Sequence, residues 1–426
     1  MSAAAIVLSG AAGAALLWGI YLGYSEIDVW GVFLVPVVLC TITIPFIRRM
    51  ESTRTDGLAD LFTVALVAKM VGAYVRYLVM YHVYSGNDSA QYHVAGVRIA
   101  DEYLRGERSA LSLFPTATNT RFVEQLNGLV AVLSGRSLLA SFMVFSWFSF
   151  IGLVCFVTAA RRAVPGLMVR RYAVLTLFLP SVLFWSSSLG KDAWMVFGMG
   201  LFAVGAARLY TGSISGVVFL LVGAYATAVV RPHLTAIALA ALAVGFVGRR
   251  MAGRHSVSPA TVMLGLLGVA LMAAVTAPIL DEVLPRSSEG LTGILTATEG
   301  RTSIGGSEIE ISAPNSPLEY PAAFFTVLFR PVLLEVRSAT QFVSAVEGTI
   351  LIGLIALWRR NIGDAVRATA RVPYLRFAGI YTLAFAFAWS SIGNLGIIVR
   401  QRVQVLPLLL LFLCVAGAPQ LRGNER

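Results

Sequence analysis

Lysine is almost missing from this chain: Lys69 and Lys191 are the only two among 33 basic residues. Charge of either sign is sparse, at 13% of 426 residues, where soluble globular domains carry about 25%. An ordinary water-soluble enzyme is excluded on that ground. Cysteine is scarce too. Cys40, Cys155 and Cys414 lie inside apolar runs with no CxxC or Cys/His spacing, so they are expected to pack as small hydrophobes. The four histidines (His82, His93, His233, His255) have no metal-ligand spacing, and no metal site is expected from them. GxxxxGK[ST], HExxH and GxSxG are absent, so nothing points to coupling by ATP.

What fills the chain is apolar: 57% hydrophobic residues and a mean hydropathy of +0.78. The apolar residues come in runs close to the roughly 20 needed to cross a bilayer. Lipid cannot satisfy backbone groups, so such runs must be helices, and the short alternating segments of a β-barrel are missing. The sequence predicts an all-α polytopic membrane protein, one transmembrane domain over 1–426 with about twelve spans. These are 3–24, 29–47, 60–84, 137–160, 172–189, 192–209, 214–230, 233–248, 259–280, 339–358, 374–392 and 401–418. The first run lacks a basic leader and is followed directly by another span, so it reads as a retained helix.

The net charge of +11 resides in arginines grouped in short loops, which points to anionic lipid and not to nucleic acid. Arg48, Arg49 and Arg54; Arg161, Arg162, Arg170 and Arg171; Arg249, Arg250 and Arg254; Arg359, Arg360, Arg367 and Arg371; and Arg422 with Arg426 all fall on one side if both termini are cytoplasmic. The expected location is the cytoplasmic membrane. Two long segments, 85–136 and 281–338, then lie outside. In the first, Tyr92, Ala95, Val97, Ile99, Tyr103 and Leu104 predict an amphipathic helix ending near Gly106, with a second helix over 122–133. The second holds a Gly/Ser/Pro-rich stretch, 299–317. An apolar part at 320–335, broken by Pro321 and Pro331, is expected along the interface.

The unusual polar residues gather at the outer helix ends. Asp88, followed four and five residues on by Tyr92 and His93, suits a general base toward a hydroxyl; the plainer reading is that Asp88 or Ser89 caps the next helix. Lys191 follows three serines at the turn 185–192 and suits phosphate, with the N-terminus of the next helix adding donors; the plainer reading is a Lys191–Asp192 pair. Arg231, His233, Arg400 and Arg402, with Asn394 nearby, run against the positive-inside trend. Such cations call for an anionic partner. Lys69 and Arg76, seven apart, share a helix face that should turn inward toward a carboxylate or a polar cavity, most simply in a structural ion pair.

An outward Asp, outward cations and a many-span bundle together resemble the GT-C superfamily of membrane glycosyltransferases, over the organisation of most of the chain and not in any diagnostic string. The resemblance implies a polyprenyl-phosphate-linked sugar donor, a glycan, lipid or protein acceptor, a first outer loop with two short helices and a catalytic Asp, and a later mobile outer loop. On it Asp88 takes the catalytic position and 281–338 the mobile loop, with spans one and two as an N-terminal addition. The usual acidic pair is replaced by Asn87-Asp88, which leaves room for a divalent cation without requiring it. An O-antigen polymerase or ligase-like protein shares the arginine pattern and the late outer loop. A transporter or flippase of a lipid-linked or anionic solute stays open, although no inverted repeat is visible.

Overall fold

The computed structural model describes residues 26–54, 56–83, 88–109, 118–251, 318–336, 339–390, 392 and 394–416. The expected spans 3–24 and 259–280, Asn87, and the stretch 281–317 lie outside them. Among the described residues every regular element is helical, with one isolated bridge between Leu167 and Val415.

Four helices are long and apolar enough to cross a membrane: 33–51, 58–82, 138–163 and 191–210. The number rises to six if each of two bent helix pairs is one span. The described residues thus form an all-helical chain with four to six helices able to span a membrane by length and composition. Three expected spans differ among the described residues, 401–418 because a helix already begins at Leu395 and breaks before Leu406. The run 172–189 is split into Val169–Phe178 and Pro180–Trp185, because Pro180 has no N–H for the ladder and starts a new helix. The run 214–230 yields Gly216–Ala228, whose 13 residues reach only about 20 Å.

The chain divides into two compact units, 1–154 with 177–200, and 155–176 with 201–426. In the first, α1 (Glu26–Glu51) and α2 (Leu58–His82) precede α3 (Asp88–Leu104) and α4 (Asn119–Leu133), which pack along each other. Then come α5 (Leu138–Ala163), α6 (Val169–Phe178), α7 (Pro180–Trp185) and α8 (Lys191–Tyr210); α5 and α8 end in the second unit, and all but the last two residues of α6 belong to it. Apolar side chains face outward, Ile42 and Phe46 of α1 being 62% and 67% exposed. Hydroxyls sit between helices, as where Trp147 Nε1 donates to Thr43 Oγ1 at 2.8 Å. Glycine sets the closest approach: a Cβ on Gly200 would stand 2.2 Å from the Gly152 carbonyl oxygen.

The second unit holds α9 (Gly216–Ala228), α10 (Pro232–Met251), α11 (Tyr320–Phe329), α12 (Ala339–Leu357), α13 (Arg359–Ala368), α14 (Pro373–Trp389), α15 (Leu395–Gln401) and α16 (Leu406–Leu410). The segments 341–357 and 359–368 meet at 75°, and 395–404 and 406–413 meet at 61°.

Candidate functional site

The first unit assembles its polar residues around the turn 186–190. This turn leaves α7 after six residues and starts α8 at Lys191. Ser186, Ser187, Ser188 and Asp192 are all buried there. Lys69 of α2 reaches the turn: its Nζ donates to the Val182 carbonyl oxygen at 3.0 Å and to Ser186 Oγ at 2.9 Å. Ser186 Oγ in turn donates to the same Val182 oxygen at 2.7 Å. The backbones come this close because Gly72 carries no side chain; a Cβ there would meet the Leu183 oxygen at 2.5 Å.

The inward face expected for Lys69 and Arg76 is present, Lys69 being 0% and Arg76 5% exposed. For Lys69 the partners differ from the expected ion pair. Lys69 is held by a carbonyl and a hydroxyl, not a carboxylate, because the last turn of α7 offers acceptors that suit an ammonium. Arg76 lies 4.8 Å from the centroids of both Phe184 and Trp185, a cation–π arrangement.

Asp88 is the first residue of α3. Its neighbour Ser89 donates from Oγ to the Leu189 carbonyl oxygen at 2.7 Å, so this hydroxyl reaches across to the serine turn. Tyr92 is buried and its carbonyl accepts from Asn127 Nδ2 at 3.3 Å, while His93 is half-buried. Helix α3 buries Ser89, Tyr92, Gly96 and Ala100. This face differs from the predicted one: Leu104, expected inside, is 61% exposed. Close packing on α4 selects small residues, since a Cβ on Gly96 would stand 2.3 Å from Asn127 Nδ2. The helix ends near Gly106, as expected, where φ is +71°.

Lys191 Nζ donates to Asn119 Oδ1 at 2.5 Å and to Thr120 Oγ1 at 2.8 Å, both at the start of α4. These two partners were invisible to sequence reasoning, being 72 and 71 residues away. In this unit the structure thus draws the Asp88 helix start and the Lys191 turn together through Ser89, and ties Lys191 to the second short helix.

The other four candidates lie in the second unit. Arg231 precedes α10, and its carbonyl oxygen accepts from Leu234 N at 3.1 Å. The His233 ring lies 5.4 Å from that of Trp389, which stacks on Phe385 at 4.7 Å. Asn394 caps α15, its Oδ1 accepting from Ile397 N at 3.2 Å. Arg400 is half-buried on that helix. Arg402 is fully buried, and its Nη1 donates to the Leu328 and Arg330 carbonyl oxygens at 2.9 and 3.2 Å. Glu347, absent from the sequence-level candidates, stands 3.8 Å from Arg402 Nη2. Its one signal was a lone carboxylate within an apolar span.

In the short segment 330–335, Arg330 forms an ion pair with Glu335, which also accepts from Val332 N at 3.0 Å. These bonds hold the Glu335 carboxyl below its ordinary value. Among the described residues no group of three His, Cys, Asp or Glu side chains is placed to hold a metal ion. Compared with known protein families, curated proteins and solved structures, the chain matches none.

Proposed function

We propose that the protein is a membrane glycosyltransferase that moves a sugar from a polyprenyl-phosphate carrier to a glycan, lipid or protein acceptor. The reaction takes place at the outer face of the cytoplasmic membrane, in cell-envelope glycan assembly. The topology of this reading has twelve spans, both termini cytoplasmic, and 85–136 and 281–338 outside. Asp88 is the general base toward the acceptor hydroxyl, positioned by Tyr92 or His93. Lys191, Arg231, His233, Arg400 and Arg402 are the candidates for the carrier phosphate, whose developing charge they stabilise as it leaves. A divalent cation is compatible with the reading but not required by it.

The observation that carries the proposal is the 2.7 Å bond from Ser89 Oγ to the Leu189 carbonyl. It fixes a carboxylate-bearing helix start beside a turn of buried serines that leads into one of the chain's two lysines. The pairing of α3 with α4 also supports the two-helix first outer loop that the GT-C resemblance implies. The test is transfer by reconstituted protein from a polyprenyl-phosphate sugar. Asp88→Asn is expected to fold and to lose on the order of 10²-fold in rate. Near-normal transfer by that variant removes Asp88 from the chemistry.

One observation favours a second reading, a transporter of a lipid-linked or anionic solute. The 61° break between 395–404 and 406–413, with Gln401, Arg402 and Gln404 buried, has the form of a discontinuous helix.

A further inference from the structure

Arg402 is pinned on one side of its guanidinium only. Nη1 serves the Leu328 and Arg330 carbonyls, whereas Nε and Nη2 make no hydrogen bond among the described residues. Glu347 Oε1, at 3.8 Å from Nη2, lies beyond hydrogen-bond reach. Yet Arg402 is 0% exposed, and buried donors are almost always satisfied. Nε and Nη2 form one edge of the guanidinium fork, the edge that grips a carboxylate or phosphate through two parallel bonds.

The surroundings follow from the sequence. Pro407 has no N–H to give back to the preceding turn, so the helix unwinds into the short 3-10 segment 402–404 and bends. Gln404, in that segment, is also fully buried and has an Oε1 without a hydrogen bond. Glu347 is brought near by its neighbour Gly348, where a Cβ would stand 2.4 Å from the Phe329 carbonyl oxygen. Only glycine lets α12 approach the end of α11 so closely.

We propose that the Nε/Nη2 edge of Arg402 is the receptor for a single oxyanion of the phosphate class, and that Glu347 is the counter-charge this oxyanion displaces. The choice of phosphate rests on the reading above. The two carbonyl bonds fix the plane of the fork before any ligand arrives, which lowers the ordering cost of binding. Glu347 is close enough to offset the buried charge but makes no hydrogen bond to it. An oxyanion with bidentate geometry therefore outcompetes it, and Glu347 sets the affinity. The phosphate is either that of a lipid carrier or a free phosphate; both present the same oxygens.

The test uses the full chain in lipid nanodiscs with two probes, inorganic phosphate and a short-chain polyprenyl monophosphate. Affinities are compared for the wild type, Glu347→Gln, Arg402→Lys and the double variant Glu347→Gln/Arg402→Gln. The double variant leaves no unpaired buried charge and so guards against misfolding. Glu347→Gln is expected to bind about tenfold tighter, and Arg402→Lys and the double variant to lose about tenfold or more. Tighter binding of the lipid probe by Glu347→Gln assigns the site to a carrier. A response with inorganic phosphate alone keeps the site and defeats the carrier reading. Lipid binding that ignores both residues keeps the carrier reading and overturns the site. No binding of either probe by any folded variant overturns the site as well.

Discussion

Ser89 donates its hydroxyl hydrogen to the carbonyl of Leu189 at 2.7 Å, joining residues 100 apart in the chain. Both ends are held independently: Asn127 binds the backbone of α3 at Tyr92, and Lys69 binds the turn at Ser186. The start of α3 is thereby fixed where Asp88 stands.

Ser89→Ala removes that bond and takes a hydrogen-bond partner from a buried carbonyl, which costs about 1–3 kcal/mol. Hydrogen exchange at 88–92 is expected to accelerate while exchange in α5 stays unchanged. Sugar transfer is expected to fall through misplacement of Asp88. Unchanged exchange at 88–92 would show that other contacts hold the helix start.

The crossing of α5 and α8 depends on glycine. A Cβ on Gly200 would meet the Gly152 carbonyl oxygen at 2.2 Å, and one on Gly152 the Val196 oxygen at 2.3 Å. Gly152→Val is expected to cost about 1–3 kcal/mol through overpacking. Gly353 of α12 has nothing within 4 Å, so Gly353→Ala is expected to gain up to about 1 kcal/mol. Thermal midpoints in detergent should move in opposite directions.

These contacts show where sequence reading stops. The apolar runs alone place α1, α2, α5 and α8 close to their observed ends, because burying backbone in lipid leaves helix as the one solution. The break at Pro180 was missed because hydropathy is continuous across it. The inward face of Lys69 and Arg76 was legible from their seven-residue spacing, but not their partners. Val182, Ser186, Phe184 and Trp185 enter through a backbone carbonyl, a hydroxyl and two rings, none of which carries a charge signal in the sequence. In the sequence, polarity and position alone mark the candidate residues. The fully buried setting of Arg402 and the part of Glu347 emerged only from the packing of α11, α12 and the helix break.

Acid should reveal the Arg330–Glu335 pair. The native Glu335 carboxyl lies below its ordinary value of 4.5, chiefly through hydrogen bonding to Arg330. The pair's stabilisation is therefore fully present above that ordinary value and is lost as pH falls through the lower native one. With both side chains about a quarter exposed, it contributes no more than about 1 kcal/mol. The thermal midpoint of Glu335→Gln should match that of the wild type at low pH and lie below it at neutral pH. Parallel curves across the range would mean that the pair does not form in solution.

The most direct test of the central claim is mass spectrometry of lipid that co-purifies with the protein after incubation with a membrane lipid extract. Wild type should be compared with Arg231→Ala and Arg400→Ala. The account predicts a polyprenyl-phosphate species retained by the wild type and lost from both variants. Its absence from the wild type, or equal retention by all three, would contradict a carrier phosphate held by these arginines.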